Sequence, residues 1–374
     1  MKHLLKTLWA ISILLFVGLV LSGCSSMQYY AQAVKGHTEI LTQEQSIEEL
    51  LDGSALNPDL REILSHSQEA RNFAVSELGL PDNDSYRNFV ALDRDYVVWN
   101  VVATDEFSVK SEQWCFLVVG CISYKGYYDR KQAERFAIEL KEKGHDVYLA
   151  GVRAYSTIGW FDDPLLSTML YRDEARRIGI IFHELAHQQV YIKDDSAFNE
   201  AFAMTVEIEG VKRWLITRNE IELLEKYEES LKRKWIFNRL LNDTREQLKA
   251  IYAQPIRVDE KRLRKQQVFD SLQRRYEQAR QDWGGYDGYD NWMAQDLNNA
   301  HLSQVATYYD LIPAFQGLLA ASDQDFRVFY QKVEEIGDKD EDERAEALAH
   351  YAREGVRPGM PLLETSRMSA GSPP

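Results

Sequence analysis

The chain has 374 residues, 44 of them basic and 59 acidic, for a net charge of −15. That excess of negative charge is repelled by nucleic acid and by anionic headgroups, and no basic patch interleaved with aromatics offsets it, so nucleic-acid binding is excluded. Aromatic residues make up 11% of the chain, enough large side chains for a sizeable core in one large domain or two.

The first segment reads as a targeting signal. Lys2 and Lys6 precede an uncharged apolar run over 8–21, and Leu21-Ser22-Gly23-Cys24 closes it. The run is short for a membrane span, so residues 1–23 are expected to be a signal peptide. The Leu-Ser-Gly-Cys end resembles a bacterial lipobox, which implies a lipidated Cys24 at the mature N-terminus. Residue 25 is Ser, not Asp, so the inner-membrane retention signal is absent and the expected home is the periplasmic face of the outer membrane. Loss of Lys2 and Lys6 takes the mature net charge to −17, so lipid rather than surface charge is expected to make the attachment. Export means an oxidising compartment. Cys115 and Cys121 then read as a disulfide closing a small loop, with two buried free thiols as the alternative.

Residues 24–45 read as a tether. A helix is expected over 57–78, opened by Asn57-Pro58 and stopped by Gly79-Leu80-Pro81. Strands follow over 96–103, 115–124 and 146–152, with a helix at 129–143 between the last two. Helices are expected over 173–190 and 196–216. The segment 219–283 is highly charged and broken at Pro255. Its Phe269, Leu272, Tyr276, Ala279 and Trp283 make a narrow seam, so it reads as an antiparallel helical hairpin inserted into the domain. Further helices are expected over 292–309 and 323–336, then an acidic run at 338–343 on the surface. The tail over 359–374 is rich in Gly, Ser and Pro and reads as disordered. The expected fold class is α+β and mainly helical. It would be one zincin-like domain over 46–358, with a small sheet before a metal-binding helix and the charged hairpin.

That helix carries Phe182-His183-Glu184-Leu185-Ala186-His187. Histidines four apart lie on one helix face with Cβ atoms about 5–6 Å apart, close enough to converge on one zinc. Glu184 reaches water on the ion rather than the ion itself, which makes it the general-base candidate. Ile178, Ile180, Ile181, Phe182, Leu185 and Ala186 clothe the helix in apolar side chains. Two core histidines satisfied by hydrogen bonds are the alternative, but unpaired polar groups there would be costly and a metal supplies partners. Residues 190 and 193 are Val and Lys, which excludes a third histidine at the extended spacing. A carboxylate fits better. Asp194, Asp195 and Ser196 offer N-cap chemistry to a helix beginning Asn199-Glu200-Ala201-Phe202-Ala203. Its small alanines allow close approach, and Glu200 is the expected third ligand, ahead of Glu207 and Glu209. Glu207 lies about 10.5 Å further along a straight helix and cannot share the ion with Glu200. It would support a ligand or pair with a base such as Arg213.

Asn199-Glu200-Ala201-Phe202-Ala203 resembles the segment that carries the glutamate ligand in a large family of zinc aminopeptidases. A wider likeness runs through Cys115 with Val119-Gly120-Cys121, then Tyr124-Lys125-Gly126-Tyr127-Tyr128, then 154–164 and Leu166-Ser167-Thr168. It continues through the His183 to Gln188 segment, Phe198-Asn199-Glu200, Glu207, Leu297-Asn298-Asn299-Ala300, Tyr308 and Pro313-Ala314-Phe315. On these blocks the chain resembles the bacterial family of predicted aminopeptidases, zinc-dependent proteins of lipoprotein type. The resemblance implies a metallopeptidase acting on a peptide or protein.

The expected chemistry is peptide hydrolysis on one zinc ion held by His183, His187 and Glu200. The ion brings water to a pKa of about 7 and Glu184 takes the proton. Tyr308 reads equally as an oxyanion donor and as a core tyrosine. The extended stretch 152–158 would pair with substrate backbone. Asp162 or Asp163 would hold a free α-amine or simply cap a turn, and Asn299 is a further substrate-binding candidate. An envelope endopeptidase and a noncatalytic lipoprotein used for binding or assembly are the alternative functions.

Overall fold

The computed structural model describes residues 28–116, 120–154, 162–170, 173–304, 309 and 311–354. The signal segment, Cys24, Tyr308, part of the 152–158 stretch and the tail lie outside these residues. The chain is mainly helical with small sheets.

The stretch expected as a tether is in part folded, because residues 28–42 form a helix, α1. Its inward face is Gln32, Gly36 and Ile40, a stripe with one apolar side chain, so no hydrophobic period betrays it. Gln32 instead accepts a hydrogen bond from the Tyr128 amide at 3.0 Å. Gly36 admits the Tyr128 ring, which would stand 2.1 Å from a Cβ at that position. Next come β1 (Gln45–Ser46), α2 (Ile47–Asp52), α3 (Pro58–Ser76) and β2 (Asn88–Val90). The Asn57 side chain caps α3 by accepting from the Asp59 amide at 2.8 Å, with Pro58 in the first turn.

The sheet region follows as β3 (Val98–Thr104), β4 (Trp114–Phe116), β5 (Gly120–Ile122), β6 (Lys125–Tyr127), α4 (Arg130–Glu142), β7 (Asp146–Val152) and β8 (Leu165–Leu166). β3 lies between β6 and β7, antiparallel to both. α4 covers one face of that sheet, where Ala133, Ala137 and Leu140 meet Val101, Ala103 and Val147. The expected strand over 115–124 is instead two antiparallel strands, β4 and β5, with Gly120 at φ +73°, followed by β6. Cys115 and Cys121 face each other across that pair and are bonded. A third sheet pairs β2 antiparallel with β1 and parallel with β8.

The rest of the chain is helical: α5 (Glu174–Gln189), α6 (Ser196–Thr217), α7 (Ile221–Tyr252), α8 (Val258–Asp282), α9 (Asp290–Met293), α10 (Asn299–Ser303), α11 (Ile312–Ala320), α12 (Phe326–Gly337) and α13 (Glu341–Glu354). α7 and α8 pack through Phe237, Leu241 and Leu248 against Phe269, Leu272 and Tyr276, a core separate from the main one. The helix expected over 292–309 is broken. Asn298 has extended backbone and caps α10 through its side chain, so α9 and α10 are distinct. The acidic run at 338–343 leads into α13, its carboxylates in the first turn where the helix dipole favours them. No helix among the described residues is long and apolar enough to cross a membrane.

The main core gathers α3, α5, α6, α11 and α12. Its tightest seam is α5 against α6. A Cβ on Gly210 would stand 2.8 Å from Leu78 and 2.9 Å from Phe182, both fully buried. Gly210→Val is therefore expected to lower stability by about 2–3 kcal/mol through overpacking. Urea unfolding measures it, and a variant as stable as the parent would show that this seam has slack.

Candidate metal centre

α5 begins at Asp173, whose side chain accepts from the Arg176 amide at 2.9 Å, and its apolar sides fix its rotation in the core. That rotation turns His183 and His187, one turn apart, to the same side. Their rings meet edge-on with centroids 4.8 Å apart. α6 is capped by Asp195, which accepts from the Phe198 amide at 3.0 Å. Asn199 then locks the connection between the helices. It accepts from the Ile192 amide at 2.8 Å and donates to the Ile192 carbonyl at 2.7 Å. With Asn199 buried in that role, the next side chain, Glu200, turns toward the histidines.

Donor groups of three residues converge. His183 Nε2 and His187 Nε2 are 3.2 Å apart, Glu200 Oε2 lies 3.4 Å from the first and Glu200 Oε1 3.6 Å from the second. Donors held at about 2.0–2.1 Å from a tetrahedral ion stand about 3.3–3.4 Å from one another, so the paired imidazole nitrogens, with one carboxylate oxygen near each, suit such a centre. Glu207 sits behind His183 and accepts from Nδ1–H at 3.1 Å. That bond fixes the tautomer and leaves Nε2 to face the cluster, the usual outer support of a metal-binding imidazole. Glu207 does not pair with Arg213, which donates to the Glu77 and Gln324 carbonyls. Glu209 points elsewhere, to Lys212 and Gln316.

The electrostatics follow from crowding carboxylates around two imidazoles. Burial disfavours charge on His183, but its hydrogen bonds to Glu200 and Glu207 outweigh this and raise its pKa to about 10. Burial and the charge on His183 drive His187 down to about 4. Burial pushes Glu184 up to about 7; His183 opposes the shift, while Glu200, Asp163 and Glu207 add to it. Glu200 and Glu207 resist their own burial and stay below the usual carboxylate range, chiefly through the hydrogen bond to His183.

His183, Glu184, His187 and Glu200 line a cleft of about 510 Å³ with Tyr29, Ala33, Tyr124, Tyr191, Val98, Asn100 and Val152. Behind α5, the fully buried Arg71 donates to the carbonyls of Pro81, Asn83 and Ser85. The loop so held donates from Asn83 to Gln188 of α5 at 2.7 Å. Its Tyr86 amide donates to the Asp163 carbonyl at 2.7 Å. Asp163 is buried, with its charge felt at Glu184, and Asp162 is exposed; neither lines the cleft. Asn299 is removed from the substrate candidates. It is fully buried, accepts from Tyr252 Oη at 2.8 Å and donates to the Glu106 carbonyl at 2.9 Å, so it ties α10 to α7 and to the turn after β3. Tyr124 and Tyr191, beside Glu200, were not singled out from sequence. Burial and the charges of Glu200 and Tyr191 raise the Tyr124 pKa, which keeps its hydroxyl a donor.

A cleft walled by a sheet, with two imidazoles and a carboxylate converging from two helices, defines a candidate metal centre with an adjacent acid–base group. A model of the family described as "Putative aminopeptidase" matches residues 28–348, and the chain belongs to that family. The family name points to a peptidase. No curated protein and no solved structure matches the chain.

With His183 raised to about 10, the metal-free protein carries a proton on Nε2 at neutral pH, and an ion bound there must displace it. Apparent Zn²⁺ affinity is expected to rise about tenfold per pH unit between about pH 7 and 9, with proton release into unbuffered solution. Chelator competition measures it. An affinity flat across that range would show that His183 holds no proton for the ion to displace.

Proposed function

We propose that the protein is a zinc metallopeptidase of zincin-like build, acting as an aminopeptidase and exported as a lipoprotein anchored through Cys24. The convergence of His183, His187 and Glu200 within 3.2–3.6 Å, with Glu184 beside them at the cleft, carries the reading. When bound, the ion would act as a Lewis acid toward water and the scissile carbonyl. Glu184, pushed up to about 7, is suited to accept a proton from the attacking water and return it to the leaving amine at neutral pH. Glu207 holds His183 in the tautomer that ligation needs. Tyr124 is the described hydroxyl best situated to donate to the developing oxyanion, in the role considered for Tyr308. The family's name supports the exopeptidase reading over the endopeptidase one.

Glu184→Gln is expected to cut hydrolysis about 10²–10⁴-fold while the purified protein keeps its zinc. His187→Ala and Glu200→Ala are expected to lose zinc together with activity. Fluorogenic peptides with free and blocked N-termini, assayed beside metal analysis of each variant, test all of this. Equal cleavage of blocked and free peptides would turn the reading to an endopeptidase. A zinc-loaded protein that cleaves nothing would favour a noncatalytic binding role.

A further inference from the structure

The chain is strongly acidic, yet the first described residues border a basic hollow. Gln28 and Tyr29 line it with Lys125, Arg135 and Lys143, against one carboxylate, Glu139. The hollow holds about 500 Å³. Lys125 Nζ lies 4.6 Å from the ring centroids of both Tyr29 and Phe136, so the start of α1 is pinned to α4 and β6. Along α4, Lys131 and Lys141 add positive charge, Glu142 offsets one of them, and Glu134 is already engaged by Arg130 at 2.7 Å. Ile138, 55% exposed, stands on the outer side of α4, with Arg135 and Lys141 three positions away and Glu134 and Glu142 four away. With the Lys125, Arg135 and Lys143 hollow beside it, an exposed isoleucine there suits contact with an anionic lipid surface better than contact with water.

Chain length then fixes where a lipid would be. Cys24 precedes Tyr29 by five residues, which span at most about 18 Å at full extension. We propose that the face formed by α4 and the start of α1 rests on anionic phospholipid headgroups. The inference depends on the lipid-anchor part of the reading above, and it adds an orientation. Tyr29 lines both the basic hollow and the cleft beside His183 and Glu184, so the cleft opens next to the bilayer. Its substrate is then a peptide segment presented at the membrane surface. The face gives a single-anchor protein the second, electrostatic attachment that its overall charge does not supply.

The test uses the full chain purified from membranes and placed on vesicles with and without phosphatidylglycerol. Of its three cysteines, Cys115 and Cys121 are bonded and Cys24 would carry lipid, so Ile138→Cys offers one free thiol for a polarity-sensitive dye. The dye is expected to move to an apolar signal only on phosphatidylglycerol vesicles. High salt and the pair Arg135→Glu with Lys143→Glu, both exposed positions, should reverse the shift. A dye at Val328→Cys on α12 is the control and should not respond. A water-like signal at 138 on phosphatidylglycerol overturns the proposal, whether because Cys24 bears no lipid or because another face meets the bilayer. A shift indifferent to charge reversal overturns it as well. Hydrolysis of a soluble peptide in the same samples reports separately on the peptidase reading.

Discussion

The packing of α5 on α6 decides what this protein can do. Gly179, His183 and His187 form one stripe at spacings of four. Val211, Glu207 and Glu200 form the opposing stripe on α6. A Cβ on Gly179 would stand 3.1 Å from Glu207 Cγ and 3.4 Å from Val211, so the absent side chain is what lets Glu207 cross to His183. Gly210 performs the matching service for Phe182 of α5 and Leu78. Two helices this close put carboxylates within hydrogen-bond reach of imidazoles that are otherwise buried in hydrocarbon. Polar groups in such a place are costly unless they satisfy one another, and here His183 is satisfied across the seam by Glu200 and Glu207, whereas the buried Nδ1 of His187 has no hydrogen-bond partner among the described residues.

The same crowding explains the electrostatic character of the cluster. Glu184, Glu200 and Glu207 crowd the two imidazoles, and the proton held by His183 answers to its hydrogen bonds with two of them, while burial, with the neighbouring carboxylates adding to it, raises Glu184. A divalent cation held there would offset that negative charge and replace the proton. The supports around it leave little room for the ligands to relax. Asn199 binds the connection between the helices, and Arg71 binds the loop that flanks Gln188 and Asp163. Both use buried side chains to hold backbone carbonyls, so the cluster sits on a scaffold with few free torsions.

How much of this the sequence discloses depends on the range of the interaction. The pairing of His183 with His187 is local, written in a spacing of four, and is legible without a fold. Glu200 is legible only by adding capping chemistry to small neighbours, because its partner is on another helix. The bond from His183 to Glu207 depends on the register of α5 against α6, which glycine positions set and no periodicity displays. The failures have similar causes. α1 hides because a glutamine and a glycine occupy its inward face. Asn299 looks like a recognition residue from its motif, yet its amide is spent tying α10 to α7. The helix expected over 292–309 ignores the capping power of Asn298.

Glu207 also shows why this pair of helices brings three candidate ligands together, and not four. A residue seven further along α6 is displaced by about 10.5 Å, so one carboxylate can meet the donor cluster and the other can only stand behind it. His183, His187 and Glu200 open on the cleft that Glu184 and Tyr124 also line, so an ion held by them would be within reach of water or substrate. A structural metal site closes all four positions with protein, whereas a catalytic one keeps a position for water or substrate. Helix geometry alone, once Glu200 and Glu207 are assigned to the two tasks their separation permits, therefore favours the catalytic form of the centre and the hydrolase reading built on it.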